Sequence, residues 1–339
     1  MAHLRPQFTE ALKKIEPGED QDNAPGAHQQ VRDALKADSE LADYGIDPVL
    51  IGSYKRHVSI RRVKDVDVFA RMPNVPADTT ADKILDRFFT VLHNEFGRDA
   101  DRHRRTTRQD RSLKVNFPEY DLYVDAVPAR PHGDGTWEIP QKKKTDSDEG
   151  DPWVRTNPEA MTTLSSQMNS NHNEFYVPTV KLLRQTRRAL LGNAKPGGFF
   201  IESVVYEAFQ RGSASGSDQA EYYVSTLSAA ADIVTNFVKY GIEIPDPTLP
   251  GNTIKVRVTQ EELDRLESVI RAASEAAGRA LQQEDLGKSA VVFRELLGVN
   301  GDGDIVFPMP PGYDDDGTKR ASTITPGAKV VPAGRRTFG

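Results

Sequence analysis

A short apolar segment, a Gly-Ser turn and a following Asp-x-Asp strand constrain the fold of this 339-residue chain more than any other feature. Residues 46–51 end in an apolar run that is typical of a strand, and Gly52 and Ser53 end that run. Residues 66–72 then alternate with the two-residue period of a second strand, with Asp65 and Asp67 on the same side of it. Residues two apart on a strand point the same way, so Asp65 and Asp67 present two carboxylates side by side.

A third carboxylate, that of Asp125, is expected to join this pair. It lies in residues 120–127, which alternate like a strand. Like charges this close resist joint ionisation, and carboxylates that also leave room for triphosphate oxygens commonly hold Mg²⁺ in proteins. Three carboxylates around two cations would serve an in-line displacement at a phosphorus atom. The pattern predicts that Asp65, Asp67 and Asp125 hold the metal and carry the catalysis.

The turn at Gly52 and Ser53 is predicted to bind phosphate. Gly52 has no side chain and Ser53 has a hydroxyl, so backbone amides can approach phosphate oxygens closely. An Asp-x-Asp pair or a Gly-Ser turn, taken alone, is more often simply solvated. The ordered set of strand, Gly-Ser, basic turn, Asp-x-Asp strand and later Asp strand is much more specific.

The remaining periodicity predicts an α+β chain of two lobes. After the sheet the chain turns helical, with Asn157 as an N-cap and Pro158 at the first helical position. The predicted strands lie at 112–117 and 120–127, and the predicted helices at 8–15, 27–44, 81–96, 178–191, 198–210, 218–240, 259–281 and 284–297. We divide the chain into a core with an N-terminal helix at 1–155, a helical lobe at 156–307 and a flexible tail at 308–339.

Composition narrows the function classes. The formal net charge of −6 argues against a protein that coats nucleic acid, so no stable nucleic-acid partner is expected. The basic runs at 98–114 and 142–144 are interpreted as solvated loops. The chain has no cysteine, which removes thiolate catalysis and cysteine metal sites and leaves oxygen or histidine as metal ligands. No 18-residue apolar run or signal peptide is present, so we expect a cytoplasmic protein without membrane contact.

These motifs together resemble the polymerase-beta-like nucleotidyltransferases, and within them the bacterial relatives of cyclic GMP-AMP synthase and oligoadenylate synthase, called CD-NTases. The resemblance covers about residues 35–297. At His57 and Val58 the chain departs from the Gly and Thr of the family motif, which questions the turn geometry more than metal binding. The segments that carry the resemblance are 51–68, 123–128, 157–159, 180–183 and 195–203.

The resemblance implies a polymerase-beta-like core with an oligoadenylate-synthase-like helical lobe and a triphosphate bound between the two. Gly52, Ser53 and Lys181 would bind the triphosphate. For Lys181 there is also a physical argument, because its ammonium, on a helix facing the metal site, could neutralise the charge of the phosphates. Phe199 could stack on a base, and Ser203 is a further nucleotide contact.

The helix that contains these last two residues also carries charged and polar side chains. Glu202, Tyr206 and Glu207 are interpreted as an exposed stripe without a special role, because charged residues on a helix usually face solvent.

The implied activity is the synthesis of cyclic di- or trinucleotide second messengers from nucleoside triphosphates, ATP among them, in antiphage (CBASS) signalling. Two Mg²⁺ or Mn²⁺ ions would be the cofactors, and the effector would be bound only through the messenger. The ending at Gly339 resembles the substrate of an E1/E2-like ligase that conjugates such a terminus. The alternatives are a nucleotidyltransferase that modifies a tRNA, a protein or a small molecule, and a catalytically inactive nucleotide sensor.

Overall fold

The computed structural model describes residues 4–18, 20–62, 64–141 and 152–320. The predicted conjugation terminus Gly339 and the basic run at 142–144 lie outside these ranges. The strands are β1 (Asp47–Ile51), β2 (Asp65–Arg71), β3 (Thr106–Arg108), β4 (Leu113–Phe117), β5 (Leu122–Pro131), β6 (Trp137–Pro140) and β7 (Trp153–Thr156). The helices are α1 (Arg5–Ile15), α2 (Asp20–Ala37), α3 (Ser39–Asp43), α4 (Gly52–Lys55), α5 (Ala81–Phe96), α6 (Pro158–Asn171), α7 (Tyr176–Leu191), α8 (Gly198–Gln210), α9 (Gln219–Tyr240), α10 (Gln260–Gln282) and α11 (Leu286–Leu297).

The first lobe is a mixed sheet with strand order β1-β2-β5-β4-β3, extended by β6 and β7 beyond the end of β5. Strands β2 and β5 are parallel, and the other pairs are antiparallel. One face of the sheet is covered by α2 and α5, where Val31 and Phe88 pack with Val66 and Val124. The period-2 alternation therefore turns the polar residues of β2 and β5 toward the opposite face.

The helix predicted at 27–44 is two helices in the structure. Helix α2 ends at Ala37, and α3 begins at Ser39. Asp38 separates them, because its extended backbone leaves the helix and its side chain accepts a hydrogen bond from the backbone of Leu41 at 3.1 Å.

The second lobe is a helical bundle, as the sequence predicts. Its first helix starts at the predicted place, because the side chain of Asn157 accepts a hydrogen bond from the backbone of Ala160 (3.2 Å) and Pro158 follows it. Helices α7 to α11 begin and end within two residues of the predicted bounds. The α+β fold class is confirmed.

Both ends of the described chain pack against the second lobe. Phe8 of α1 lies in its core, with ring centroids 5.0 Å from Phe293 and 5.1 Å from Phe307. Of the predicted tail, residues 308–320 are described, and there Arg294 donates to the carboxylate of Asp315 at 2.8 Å. The lobe boundaries at 155 and 307 stay a prediction. Within the described ranges, no helix combines the length and apolar character that a membrane span requires.

Candidate active site

Two of the three predicted carboxylates lie opposite each other on neighbouring strands. Asp67 of β2 is directly opposite Asp125 of β5 in the parallel register, and Asp65 is opposite Tyr123. Asp65 is exposed, whereas Asp67 and Asp125 are half-buried. The structure therefore brings Asp65, Asp67 and Asp125 onto one face of the sheet, opposite the face that α2 and α5 cover.

The electrostatics of this face disfavour three ionised carboxylates. Burial, reinforced by the charges of Asp65 and Asp125, raises the pKa of Asp67 to about 7. Burial likewise raises the pKa of Asp125 to about 6, against the lowering effect of Lys114 and with a further rise from Asp65. The Oδ1 atom of Asp125 is buried and has no hydrogen-bond partner among the described residues. A cation would satisfy that oxygen and relieve the repulsion.

The three carboxylates fit a divalent cation by their chemistry, since Mg²⁺ and Mn²⁺ prefer oxygen ligands. Within the described ranges, no three acidic or histidine side chains are already gathered as closely as a preformed metal site requires.

The Gly-Ser turn lies against the same carboxylates. Gly52 has φ +76°, and a side chain there would overlap the carboxylate of Asp67, so glycine is required on both conformational and steric grounds. Ser53 shares a hydrogen bond with Ser59 (2.9 Å). His57, where the family motif has glycine, adopts φ +58°, so the chain keeps a left-handed backbone at this position without glycine.

Lys181 lies near the turn but is already paired. Its ammonium is 2.6 Å from the carboxylate of Glu16, and its side chain is 8% exposed. The pair lines a cavity of about 210 Å³ together with His57 and Ser59. A phosphate that binds Lys181 must therefore compete with Glu16.

A second and larger cavity lies between the lobes. Its volume is about 1450 Å³, and it reaches from Ser112 on the first lobe to Phe199 at the start of α8. Ser112 lies two residues before Lys114, which is opposite Asp125 in the sheet, but none of the three predicted carboxylates lines this cavity. Phe199 is 53% exposed there, whereas the ring of its neighbour Phe200 is buried against Phe237 at 5.6 Å.

Comparison with known proteins gives the family. Residues 1–169 match the model of the Second Messenger Oligonucleotide or Dinucleotide Synthetase domain. A cyclic AMP-AMP-AMP synthase of an Acinetobacter species is 29% identical over 304 residues, which cover 86% of this chain and 83% of that relative. The chain belongs to the CD-NTase family.

Further relatives agree with this CD-NTase assignment. A cyclic AMP-AMP-GMP synthase of Enterobacter hormaechei is 22% identical, over 98% of this chain and 99% of its own length. The fold is shared with the structure of CdnC from E. coli MS115-1 in its complex with HORMA-deltaN, at a TM-score of 0.67 and 18% identity over 87% of this chain and 96% of that chain.

The family assignment confirms several predictions. This CD-NTase is a nucleotidyltransferase that makes cyclic oligonucleotides from nucleoside triphosphates. Modification of a tRNA, a protein or a small molecule, and a role as an inactive sensor, are not favoured.

The structure does not bring Ser203 to the site as an available ligand. Ser203 is 2% exposed, and its hydroxyl donates to the carbonyl of Phe199 at 3.0 Å within α8. The predicted nucleotide contact would need that hydroxyl to leave an intrahelical hydrogen bond.

The prediction that Glu202 and Tyr206 form an exposed stripe is wrong. Glu202 is 0% exposed and Tyr206 is 7% exposed. Glu202 forms an ion pair with Arg56 of the other lobe, at 2.6 Å. The signal was present in the sequence, because α8 is apolar on almost every side, and such a helix is buried all round.

Sequence reasoning also missed Arg184, one helical turn after Lys181. Its guanidinium lies over the first turn of α8, where a methyl group on Gly198 would come within 2.9 Å of it. Among the described residues it makes no hydrogen bond or ion pair; burial lowers its pKa, and the charges of Glu202 and Asp65 oppose that effect. A guanidinium whose hydrogen-bond donors have no partner among the described residues suits an anionic ligand.

Proposed function

We propose that this CD-NTase makes a cyclic trinucleotide that contains AMP units, with Asp65, Asp67 and Asp125 as its catalytic carboxylates. The proposed ring size and base come from the names of the two relatives, a cyclic AMP-AMP-AMP synthase and a cyclic AMP-AMP-GMP synthase. The observation that carries the residue assignment is the direct opposition of Asp67 and Asp125, with a buried Asp125 oxygen that lacks a partner among the described residues.

These three carboxylates would hold two Mg²⁺ or Mn²⁺ ions. When bound, the ions supply the positive charge that lets all three carboxylates ionise together, and they lower the pKa of an attacking hydroxyl. Because the pKa of Asp67 is raised, protons would compete with the metal ions for its carboxylate, and metal affinity would fall as the pH falls.

The triphosphate would lie between the Gly-Ser turn and α7. Gly52 leaves its backbone open to close approach, and Ser53 offers a hydroxyl. On α7, Arg184 provides a guanidinium without a partner among the described residues, and Lys181 provides an ammonium once Glu16 is displaced. Two cations on one helix would balance the charge of the phosphates.

The cavity between the lobes would hold the remaining nucleotides. At about 1450 Å³ it exceeds the roughly 300–1,000 Å³ that is typical of single-ligand pockets. Phe199, exposed at its edge, would stack on a base. Ring closure requires the linear intermediate to turn its free end toward the carboxylates, and a cavity of this size leaves room for that movement.

Two partner predictions concern residues beyond the described ranges or other molecules. The conjugation of Gly339 by an E1/E2-like ligase stays a prediction, and so does an effector bound only through the messenger. The nucleoside triphosphates, ATP among them, are the direct ligands that the carboxylate site accounts for.

The test is to incubate the purified protein with all four labelled ribonucleoside triphosphates and Mg²⁺ or Mn²⁺, then treat the products with phosphatase. We expect a phosphatase-resistant product that contains adenine and disappears in Asp65→Ala/Asp67→Ala. Asp43→Ala/Asp101→Ala removes two exposed aspartates elsewhere and is the matched control. Product formation that survives the first double substitution would contradict the assignment of the carboxylates.

A further inference from the structure

A buried ion pair connects the Gly-Ser turn to the second lobe. Arg56 follows α4, and its Nε and Nη2 atoms donate to the two carboxylate oxygens of Glu202 at 2.6 and 2.9 Å. The side chains are 5% and 0% exposed. Two parallel hydrogen bonds between a guanidinium and a carboxylate fix the relative orientation of both groups as well as their distance.

A contribution to stability does not by itself explain why an ion pair is buried at this place. Removing two charges from water costs several kcal/mol per ion, and apolar residues of similar volume often serve stability equally well. Burial by itself would lower the pKa of Arg56, but its hydrogen bonds to Glu202 raise it, so the guanidinium remains charged. What the pair adds beyond packing is directional geometry.

Each partner is rigidly linked to a wall of the proposed nucleotide site. The backbone N–H of Arg56 donates to the carbonyl of Gly52 (3.2 Å), and that of Val58 donates to the carbonyl of Ser53 (3.0 Å). Glu202 lies one turn after Phe199 on α8, which borders the cavity between the lobes. The pair therefore joins the turn that faces the carboxylates to the helix that faces the cavity.

We propose that Arg56 and Glu202 form a positioning pair, which holds the Gly52-Ser53 turn and the start of α8 at the spacing that nucleoside triphosphate binding requires. The inference rests on the proposed function of the same cleft. Neither side chain needs to touch the nucleotide, because each acts through the backbone of its own segment.

The test uses a double substitution that separates positioning from folding. Single removal of Arg56 would leave Glu202 buried without its hydrogen-bonded partner, which is strongly destabilising. Arg56→Met/Glu202→Leu removes both charges and should keep the melting temperature close to that of the wild type. Because a misplacement of about 1 Å can cost about 100-fold, we expect a loss of about 100-fold in kcat/KM for ATP, mostly as a higher KM.

ATP binding is measured by calorimetry in parallel with product formation. The two measurements distinguish a failure of the proposed function from a failure of the positioning role. A wild type that binds ATP but yields no cyclic product would overturn the proposed function, while the pair is still judged by the change in ATP affinity. Arg211→Met/Glu207→Leu, which removes a more exposed pair of the same helix region (2.7 Å), is the matched control and should leave both readings unchanged.

A conservative variant covers the case in which the double variant does not fold. Arg56→Lys keeps the charge but loses the two-pronged geometry, and it should show an intermediate KM for ATP with a near-normal melting temperature. A folded double variant, or a folded Arg56→Lys variant, with wild-type KM and ATP affinity would overturn the positioning role.

Discussion

Substitution of Asp67 by asparagine should stabilise the metal-free protein at the same time as it abolishes activity. The rise in the Asp67 pKa from 3.8 to about 7 corresponds to about 4 kcal/mol, at about 1.36 kcal/mol for each pKa unit. Because Asp67, Asp65 and Asp125 influence one another's ionisation, one substitution releases only part of this, about 2 kcal/mol. Asparagine keeps the shape of the side chain and removes its charge.

The sign follows from proton binding. The folded protein keeps the Asp67 proton up to about pH 7, whereas an unfolded aspartate loses it near about pH 3.9. Between about pH 4 and 7 the native state therefore binds more protons, so wild-type stability falls as pH rises through this window and levels off above it. Asp67→Asn removes this contribution to the pH dependence.

Thermal unfolding with a chelator, at about pH 5 and about pH 8, measures the effect. At the higher pH we expect Asp67→Asn to melt about 3 °C above the wild type, and at the lower pH the difference should shrink. Excess Mg²⁺ should raise the melting temperature of the wild type more than that of the variant. Asp43→Asn, an exposed position, is the control. A variant that melts below the wild type at about pH 8 without metal would refute the reasoning.

Three further predictions concern the same cleft. Glu16→Gln should lower the KM for ATP by up to about fivefold, because Lys181 loses a half-exposed carboxylate partner; initial rates measure this, and an unchanged or higher KM would count against a phosphate role for Lys181. Arg184→Met should raise the KM for ATP by about tenfold or more, and a wild-type KM would remove Arg184 from the triphosphate site. At low metal concentration, kcat/KM should fall as the pH drops below about 7, because protons compete with the metal ions at Asp67. More Mg²⁺ should move that fall to lower pH, and a pH profile that does not change with metal concentration would contradict the competition.

The local features of the site could be predicted from the sequence. The two-residue period placed Asp65 and Asp67 on one strand face, and the apolar run before Gly52 placed the turn. Alternation also placed Asp125 on a strand, but its opposition to Asp67 depends on a parallel register between strands nearly 60 residues apart. Periodicity carries no information about such a register, and the structure places Asp125 opposite Asp67.

The features that were missed depend on distant partners. Glu202 was interpreted as exposed because a charge on a helix usually faces solvent, and its compensating Arg56 is 146 residues earlier in the chain. The pairing of Lys181 with Glu16 spans 165 residues. The packing of α1 into the second lobe is also long-range, since Phe8 meets aromatic side chains near the other end of the described chain.

The central claim is that this carboxylate site closes a ring of nucleotides, and the pyrophosphate balance tests it most directly. Each phosphodiester bond formed from a triphosphate releases one pyrophosphate, so a ring releases one for every nucleotide it contains, whereas a linear product releases one fewer and keeps a terminal triphosphate. We predict equal amounts of pyrophosphate released and nucleotide incorporated, with neither formed by Asp65→Ala/Asp67→Ala. A purified product that retains a terminal triphosphate, or a balance one pyrophosphate short per chain, would contradict the account.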